Sequence, residues 1–496
     1  MRRHPHAKED LLSGTSFIGR LMLAFWALHL GLVFLLPDAA ARFMLGDRAG
    51  DRFHKLSALL QAPDGDAGLR VLFAQGMPGD YVLFAPAFAL LGPKGVMVQT
   101  LTLYLVALFY LYKLARMLFG ETVARIASIA WCLLPATIFH PQAFVSEGIC
   151  NPLLVIGTYF FVKMARSRPI ASSDLLAAVA VFALIAFVRP AYAPLPALLA
   201  LVLWLFPSER VRRPTREASA LAVSGLLLIA GWSLVETSVA TRYPAGVSVG
   251  GLGSNMFLRA ERMAAIGRFE LPPGPAARAA AAGTDVRTLL PGEYLAILRA
   301  HPGVFLRTAA SDAFNLMVNP GMAMVAGRYL RLFDLGEQGV KDLNRWREIR
   351  DREGIGALLA AIWQTSPAGF LLNLLGGIAW GCFLLVAVLG AVRLARDRSI
   401  VPAARLGLLL TPVYVFALIS LVAAYSRWDH RSPMEFVLAI LFALGSTALV
   451  SRLRRKGAVR PRFVVPAADA GDPATRLTKS LDTGAEALAV AGRAAP

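Results

Sequence analysis

The sequence predicts an all-α protein that crosses a membrane many times. Three observations carry that expectation. Hydrophobic residues make up 56% of the 496 residues. Apolar runs of about 20 residues recur from end to end, each long enough to cross about 30 Å of hydrocarbon. No stretch shows the alternating polarity that a transmembrane barrel strand needs.

Ten runs are candidate spans: roughly 16–36, 96–118, 122–140, 146–165, 174–189, 191–206, 218–238, 368–392, 403–424 and 433–450. A count of 11–13 is the alternative. The first run follows a basic start, as a signal peptide would, but it is longer than a typical signal h-region and is read as a retained helix. The chain carries a formal charge of +19. Its basic residues sit in short loops, among them Lys113, Arg116, Arg125, Lys163, Arg166, Arg393 and Arg396. That distribution orients spans in a membrane, with attraction to anionic lipid headgroups as a second use. No compact basic and aromatic patch points to nucleic acid. The alternation places both termini of this multi-pass protein in the cytoplasm. The three cysteines, Cys132, Cys150 and Cys382, all fall in apolar runs and have no metal-ligand spacing.

The threading divides the chain. Residues 1–238 form an N-terminal transmembrane module with a first outer loop, 37–95. Residues 239–367 form a hydrophilic cap or loop region on the outer side. Residues 368–456 are C-terminal spans, and 457–496 read as a disordered cytoplasmic tail. In the first loop, "FHKLSALLQ" and "YVLFAPAFALLG" read as helices lying in the interface. A hidden pair of spans around 303–330 would put Arg307 and Asp312 in lipid, which is costly.

Polar residues gather on the outer face. The first loop carries "GDRAGDRFHKLSALLQ", with Asp47, Asp51 and His54. Next come "FHPQAFVSEG", with His140 and Glu147, and "FVRPAY", with Arg189 and Tyr192. "AYSRWDHRSPMEF" adds Arg427, His430 and Arg431. Ionisable groups at a membrane boundary need water or a partner. Each also has a plain structural reading. Asp47 and Asp51 could pair with Arg48 or Lys55 on one helix face. Ser146 and Glu147 suit the first turn of a helix. Arg189 could snorkel to the interface. Two arginines, an aspartate and a histidine in "SRWDHR" make a phosphate clamp at headgroup level. No Gly-rich phosphate loop or dinucleotide fingerprint marks a soluble nucleotide donor.

The order of these pieces resembles the GT-C glycosyltransferases, and among them bacterial members related to protein O-mannosyltransferases and lipid A aminoarabinose transferases. The likeness is best over residues 40–195. "GDRAGDRFHKLSALLQ" looks like that family's first outer loop, and "FVRPAY" like its Arg-Pro span end. The sequence departs from the pattern in having two separated aspartates, and in Asp80 and Tyr81 where some relatives carry Lys-Pro. A GT-C-like bundle of about ten helices is the implied fold. The resemblance implies sugar transfer, with inversion, from a polyprenyl-phosphate donor to a lipid, glycan or protein acceptor. It implies Asp47 as the general base, with Asp51 second. Glu147 would orient acceptor or sugar, and Arg189, Arg427 and Arg431 would hold the phosphate, with His54, His140, Tyr192 and His430 around them. No cofactor is implied, and a divalent metal is not indicated. Two other readings stand beside it: a polysaccharide ligase or polymerase using His301 and Arg307, and a non-enzymatic transporter or flippase, for which internal symmetry is lacking.

Overall fold

The computed structural model describes residues 6–35, 49–73, 78–167, 170–206, 215–242, 251–281, 287–322, 330, 332, 345–346, 349, 353–421 and 428–457. By internal contacts the chain divides into Met1–Leu449 and Val450–Pro496. In the second unit only the end of the last helix is described, to Gly457, so the expected tail lies outside the described residues.

Every described regular element is helical. The first unit opens with α1 (His6–Leu35), followed by three helices of the first loop: α2 (Ala49–Leu60), α3 (Gly65–Phe73) and α4 (Pro78–Leu91). The two loop segments read as helices, "FHKLSALLQ" and "YVLFAPAFALLG", fall on α2 and α4. A tight hairpin follows, α5 (Pro93–Phe119) and α6 (Glu121–Leu133), joined by Gly120 alone. Gly120 has φ of 87° and donates its N–H to the Arg116 carbonyl at 3.0 Å. A side chain there would be strained. After α6 the chain bends by 63° into α7 (Pro135–Phe139) and a 3-10 turn, His140–Gln142. Pro135 removes the N–H that would continue α6.

Then come α8 (Glu147–Arg166), α9 (Ser172–Val188), the turn Pro190–Tyr192, α10 (Leu195–Leu205) and α11 (Thr215–Arg242). Residues 239–367 supply α12 (Gly251–Gly267), α13 (Gly274–Ala281), α14 (Pro291–Ala300), α15 (Pro302–Val318) and α16 (Ile355–Thr365). The C-terminal helices are α17 (Pro367–Arg396), α18 (Pro402–Leu421) and, after the 3-10 turn Trp428–Met434, α19 (Glu435–Gly457).

Each of the ten expected spans falls on a helix, or on the bent pair for 122–140. Among the described residues, six helices are long and apolar enough to cross a membrane, or seven if the bent pair is one span. Ser16–Gly31, Ser172–Val188 and Pro190–Leu205 are apolar but shorter. The protein is a polytopic all-α membrane protein.

Burial sorts the helices. In α8, 89% of the apolar window is buried, against 17% in α11 and α17. α8 packs on α5, α9 and α18 at the centre. α17 leaves Leu371, Leu374, Leu375, Ile378, Leu385 and Val388 exposed, a face suited to lipid. On its other side α17 meets α19 backbone to backbone. A Cβ on Gly390 would strike the Leu441 carbonyl, and one on Gly445 the Val386 carbonyl. Small residues give such close approach where lipid supplies no hydrophobic drive between helices. α12 and α14 share a small apolar cluster with Leu289, built on Met256, Phe257, Met263, Tyr294 and Ile297.

Candidate functional site

The helices α8 and α9 run antiparallel, and an ion pair closes each end of the hairpin. At one end Lys163 meets Asp174 at 2.7 Å. At the other, Arg189 Nη1 reaches Glu147 Oε1 at 2.6 Å. The second pair is the core of the candidate site. Both residues are placed by helix ends: Glu147 opens α8, and Arg189 follows α9 just before Pro190. Ser146 makes no side-chain cap; its hydroxyl donates to Glu147 Oε2 at 3.1 Å. Arg189 does not simply snorkel. Its charge is spent on Glu147, with 22% of the side chain exposed against 11% for the carboxylate.

His140 and His430 lie within electrostatic reach of Glu147. His140 is buried in the turn after α7 and His430 is half-buried in the turn before α19. Tyr192 is buried, with its ring tilted against Tyr414 at 6.1 Å, and the Tyr414 hydroxyl donates to the Ala191 carbonyl. One carboxylate, one arginine and two histidines therefore converge from four separate chain segments.

Behind Glu147, one turn along α8, sits Asn151. Its amide nitrogen lies 2.8 Å from Ser432 Oγ, 3.1 Å from His140 Nδ1 and 3.2 Å from the Tyr104 hydroxyl. It thereby ties α5, α8, the His140 turn and the His430 turn into one node. Its amide oxygen is buried with no hydrogen-bond partner among the described residues. A second buried bond joins α1 to the same turn, between His29 and Gln142 at 2.9 Å. Neither Asn151 nor His29 was among the candidates from sequence. The signal for Asn151 was present: it stands four residues after Glu147, hence on the same helix face, in an otherwise apolar run.

Arg431 makes a different set of contacts. Its guanidinium is fully buried. Nε donates to Glu435 Oε1 at 3.1 Å, and Nη1 donates to the Leu316 and Asn319 carbonyls at 2.9 and 2.7 Å. The indole ring of Trp380 lies 4.0 Å from it. His54 is exposed on α2. The Asp51 side chain, Asp47 and Arg427 lie outside the described residues. His301 stacks on Phe269 with ring centroids 3.7 Å apart, and Arg307 is exposed.

Asp312 resolves the cost noted for α15. It is buried between two arginines of α12, 2.8 Å from Arg259 and 2.7 Å from Arg262. Nearby, burial raises the phenol of Tyr294 above its ordinary range, and its hydroxyl donates to the Leu421 carbonyl at 2.8 Å. Among the described residues, no group of three or more His, Cys, Asp or Glu side chains could hold a metal ion.

No family model matches the chain, and no curated protein matches it. Among solved structures it is similar to the oligosaccharyltransferase AglB from Archaeoglobus fulgidus in complex with an inhibitory peptide and a dolichol-phosphate. The identity is 14% and the TM-score 0.42, over 92% of this chain and 54% of that one. The apo form of the Archaeoglobus fulgidus oligosaccharyltransferase gives 13% and 0.46, over 89% and 51%. The chain thus spans about half the length of that enzyme. ArnT from Cupriavidus metallidurans bound to undecaprenyl phosphate gives 13% and 0.29, over 76% and 69%.

Proposed function

We propose that the protein is a membrane glycosyltransferase that moves a sugar from a polyprenyl-phosphate donor to an acceptor at the outer face of an inner membrane. The observation that carries this reading is the 2.6 Å Glu147–Arg189 pair, with Arg189 half-buried and His140 and His430 within electrostatic reach of the carboxylate. A carboxylate and a guanidinium held side by side can serve two partners at once. Glu147 accepts a hydrogen bond from a sugar or acceptor hydroxyl. Arg189 faces a phosphate oxygen, for which a planar guanidinium is suited.

In the transfer step the bond from the anomeric carbon to the phosphate oxygen breaks and the bond to the acceptor oxygen or nitrogen forms. The acceptor proton passes to a carboxylate, Asp47 by the family register and Asp51 as its competitor. Positive charge develops on the sugar. Polyprenyl phosphate leaves with the bonding pair, and its added charge is met by Arg189 and Arg427. Attack opposite the phosphate inverts the anomeric carbon. Lys113, Arg116, Arg125, Lys163 and Arg166, at the helix ends that flank the α5–α6 and α8–α9 connections, support a cytoplasmic side opposite the site.

The test is transfer from a polyprenyl-phosphate-linked sugar by the purified protein in lipid, for the wild type and for Asp47→Asn, Asp51→Asn and Glu147→Gln. One aspartate variant and Glu147→Gln should lose transfer while still folding. Full transfer by all three would remove the reading.

A further inference from the structure

The last turn of α15 is gripped from two directions. Arg431 donates to the carbonyls of Leu316 and Asn319. Trp380, from α17, donates its indole N–H to the Met317 carbonyl at 2.6 Å. A helix end presents carbonyls without intrahelical partners and the negative pole of the helix. A guanidinium and an indole N–H are matched to that end. Glu435 holds the Nε of Arg431, and the face of the Trp380 ring lies 4.0 Å from the guanidinium.

A fully buried ion pair is a weak source of stability compared with apolar packing of the same volume, while losing one partner is costly. Such a pair specifies position. Its neighbours show what is positioned. The residue before Arg431 is His430, within electrostatic reach of Glu147. The residue after it is Ser432, hydrogen-bonded to Asn151. On the far side, α15 carries Asp312, which holds both arginines of α12. A continuous set of contacts therefore runs from the outer helices through Arg431 to the two residues that flank it.

We infer that Arg431 is a positioning residue, not a phosphate ligand: it clasps the C-terminal end of α15 and so sets His430 and Ser432 against Glu147 and Asn151. This rests on the reading of Glu147–Arg189 as the site. It makes the outer region a working part of that site. An acceptor or lipid that draws on α12–α15 would then be sensed at His430 without touching it.

The experiment uses the full chain in lipid nanodiscs, as wild type, Arg431→Lys and the milder Trp380→Phe. Hydrogen exchange is followed at the last turn of α15, and diethylpyrocarbonate modification is followed at His430. Polyprenyl phosphate alone is the binding probe. Arg431→Lys keeps the charge but cannot make the same forked contacts. Exchange at the α15 end should rise by about tenfold. His430 should react several-fold faster, with phosphate affinity within about twofold of wild type. Trp380→Phe should move exchange in the same direction by less. Unchanged exchange and unchanged His430 reactivity, with affinity down by about tenfold or more, would overturn the inference and make Arg431 a phosphate ligand. If the wild type binds no polyprenyl phosphate, the reading of the site fails, and exchange with His430 reactivity still decides the clasp.

Discussion

Two arginine–carboxylate pairs at the same end of the bundle have the same chemistry and opposite settings. Arg189 and Glu147 come from different helices, 42 residues apart, and both side chains keep some exposure. Arg431 and Glu435 are one helical turn apart, and their side chains are 0% and 1% exposed. In the second pair Arg431 also binds the Leu316 and Asn319 carbonyls and lies against the Trp380 ring. In the first, Arg189 keeps 22% of its side chain exposed, and His140 and His430 lie within electrostatic reach of Glu147. An arginine in a polar motif can therefore be a ligand or a clasp, and burial with its partners separates the two.

The largest expected effect falls on the closed pair. Arg431→Ala leaves Glu435 buried without its cation and the α15 carbonyls without their donor. Stability should drop by about 3–5 kcal/mol, the usual cost of breaking a buried pair. Thermal unfolding in lipid measures it. A wild-type midpoint would erase the distinction between the pairs. The open pair should show the reverse balance. Arg189→Gln should reduce transfer by roughly 10²–10³-fold, as losing one transition-state donor does. Its unfolding midpoint should move less than that of Arg431→Ala, and a larger shift would make Arg189 a structural residue.

Between these lies Asn151. Replacing it by Ala strands the His140 ring nitrogen and two hydroxyls in a buried place, at about 1–3 kcal/mol. It should also lower transfer by releasing His140, and the two effects separate in single-turnover rates on the folded fraction. The smallest effect belongs to a carboxylate far from either pair. Hydrogen bonds from Ser399 hold the Asp397 carboxyl below its ordinary range, in the turn between α17 and α18. Its contribution is present above the unfolded carboxylate pKa and is lost as pH falls through the depressed folded value. Asp397→Asn should therefore change stability by no more than about 0.5 kcal/mol at neutral pH. It should also flatten a small acid-side loss in a pH series of unfolding midpoints.

Much of the fold was legible because spans are written as uninterrupted apolar runs. The runs predicted helices at all ten places, and Gly120 and Pro135 mark the breaks between them. The amphipathic spacing of "FHKLSALLQ" likewise foretold α2. Span number was less legible, since 16–31, 172–188 and 190–205 are apolar but short. Of the site, Glu147 and Arg189 were visible as charges at span ends. Their pairing was not, because contact between residues 42 apart depends on how α8 and α9 dock. Arg431 was seen as a cation in a polar motif, but its partners on α15 are more than 110 residues away. Asn151 was hidden for the opposite reason: a lone amide in an apolar run gives no charge signal, although its spacing from Glu147 did.

The most direct measurement is the binding of polyprenyl phosphate to the purified chain in nanodiscs, compared between wild type, Arg189→Gln and Arg431→Lys. The account predicts binding by the wild type, a loss of about tenfold or more in Arg189→Gln, and near-wild-type affinity in Arg431→Lys. Equal binding by wild type and Arg189→Gln, or none by either, would contradict it.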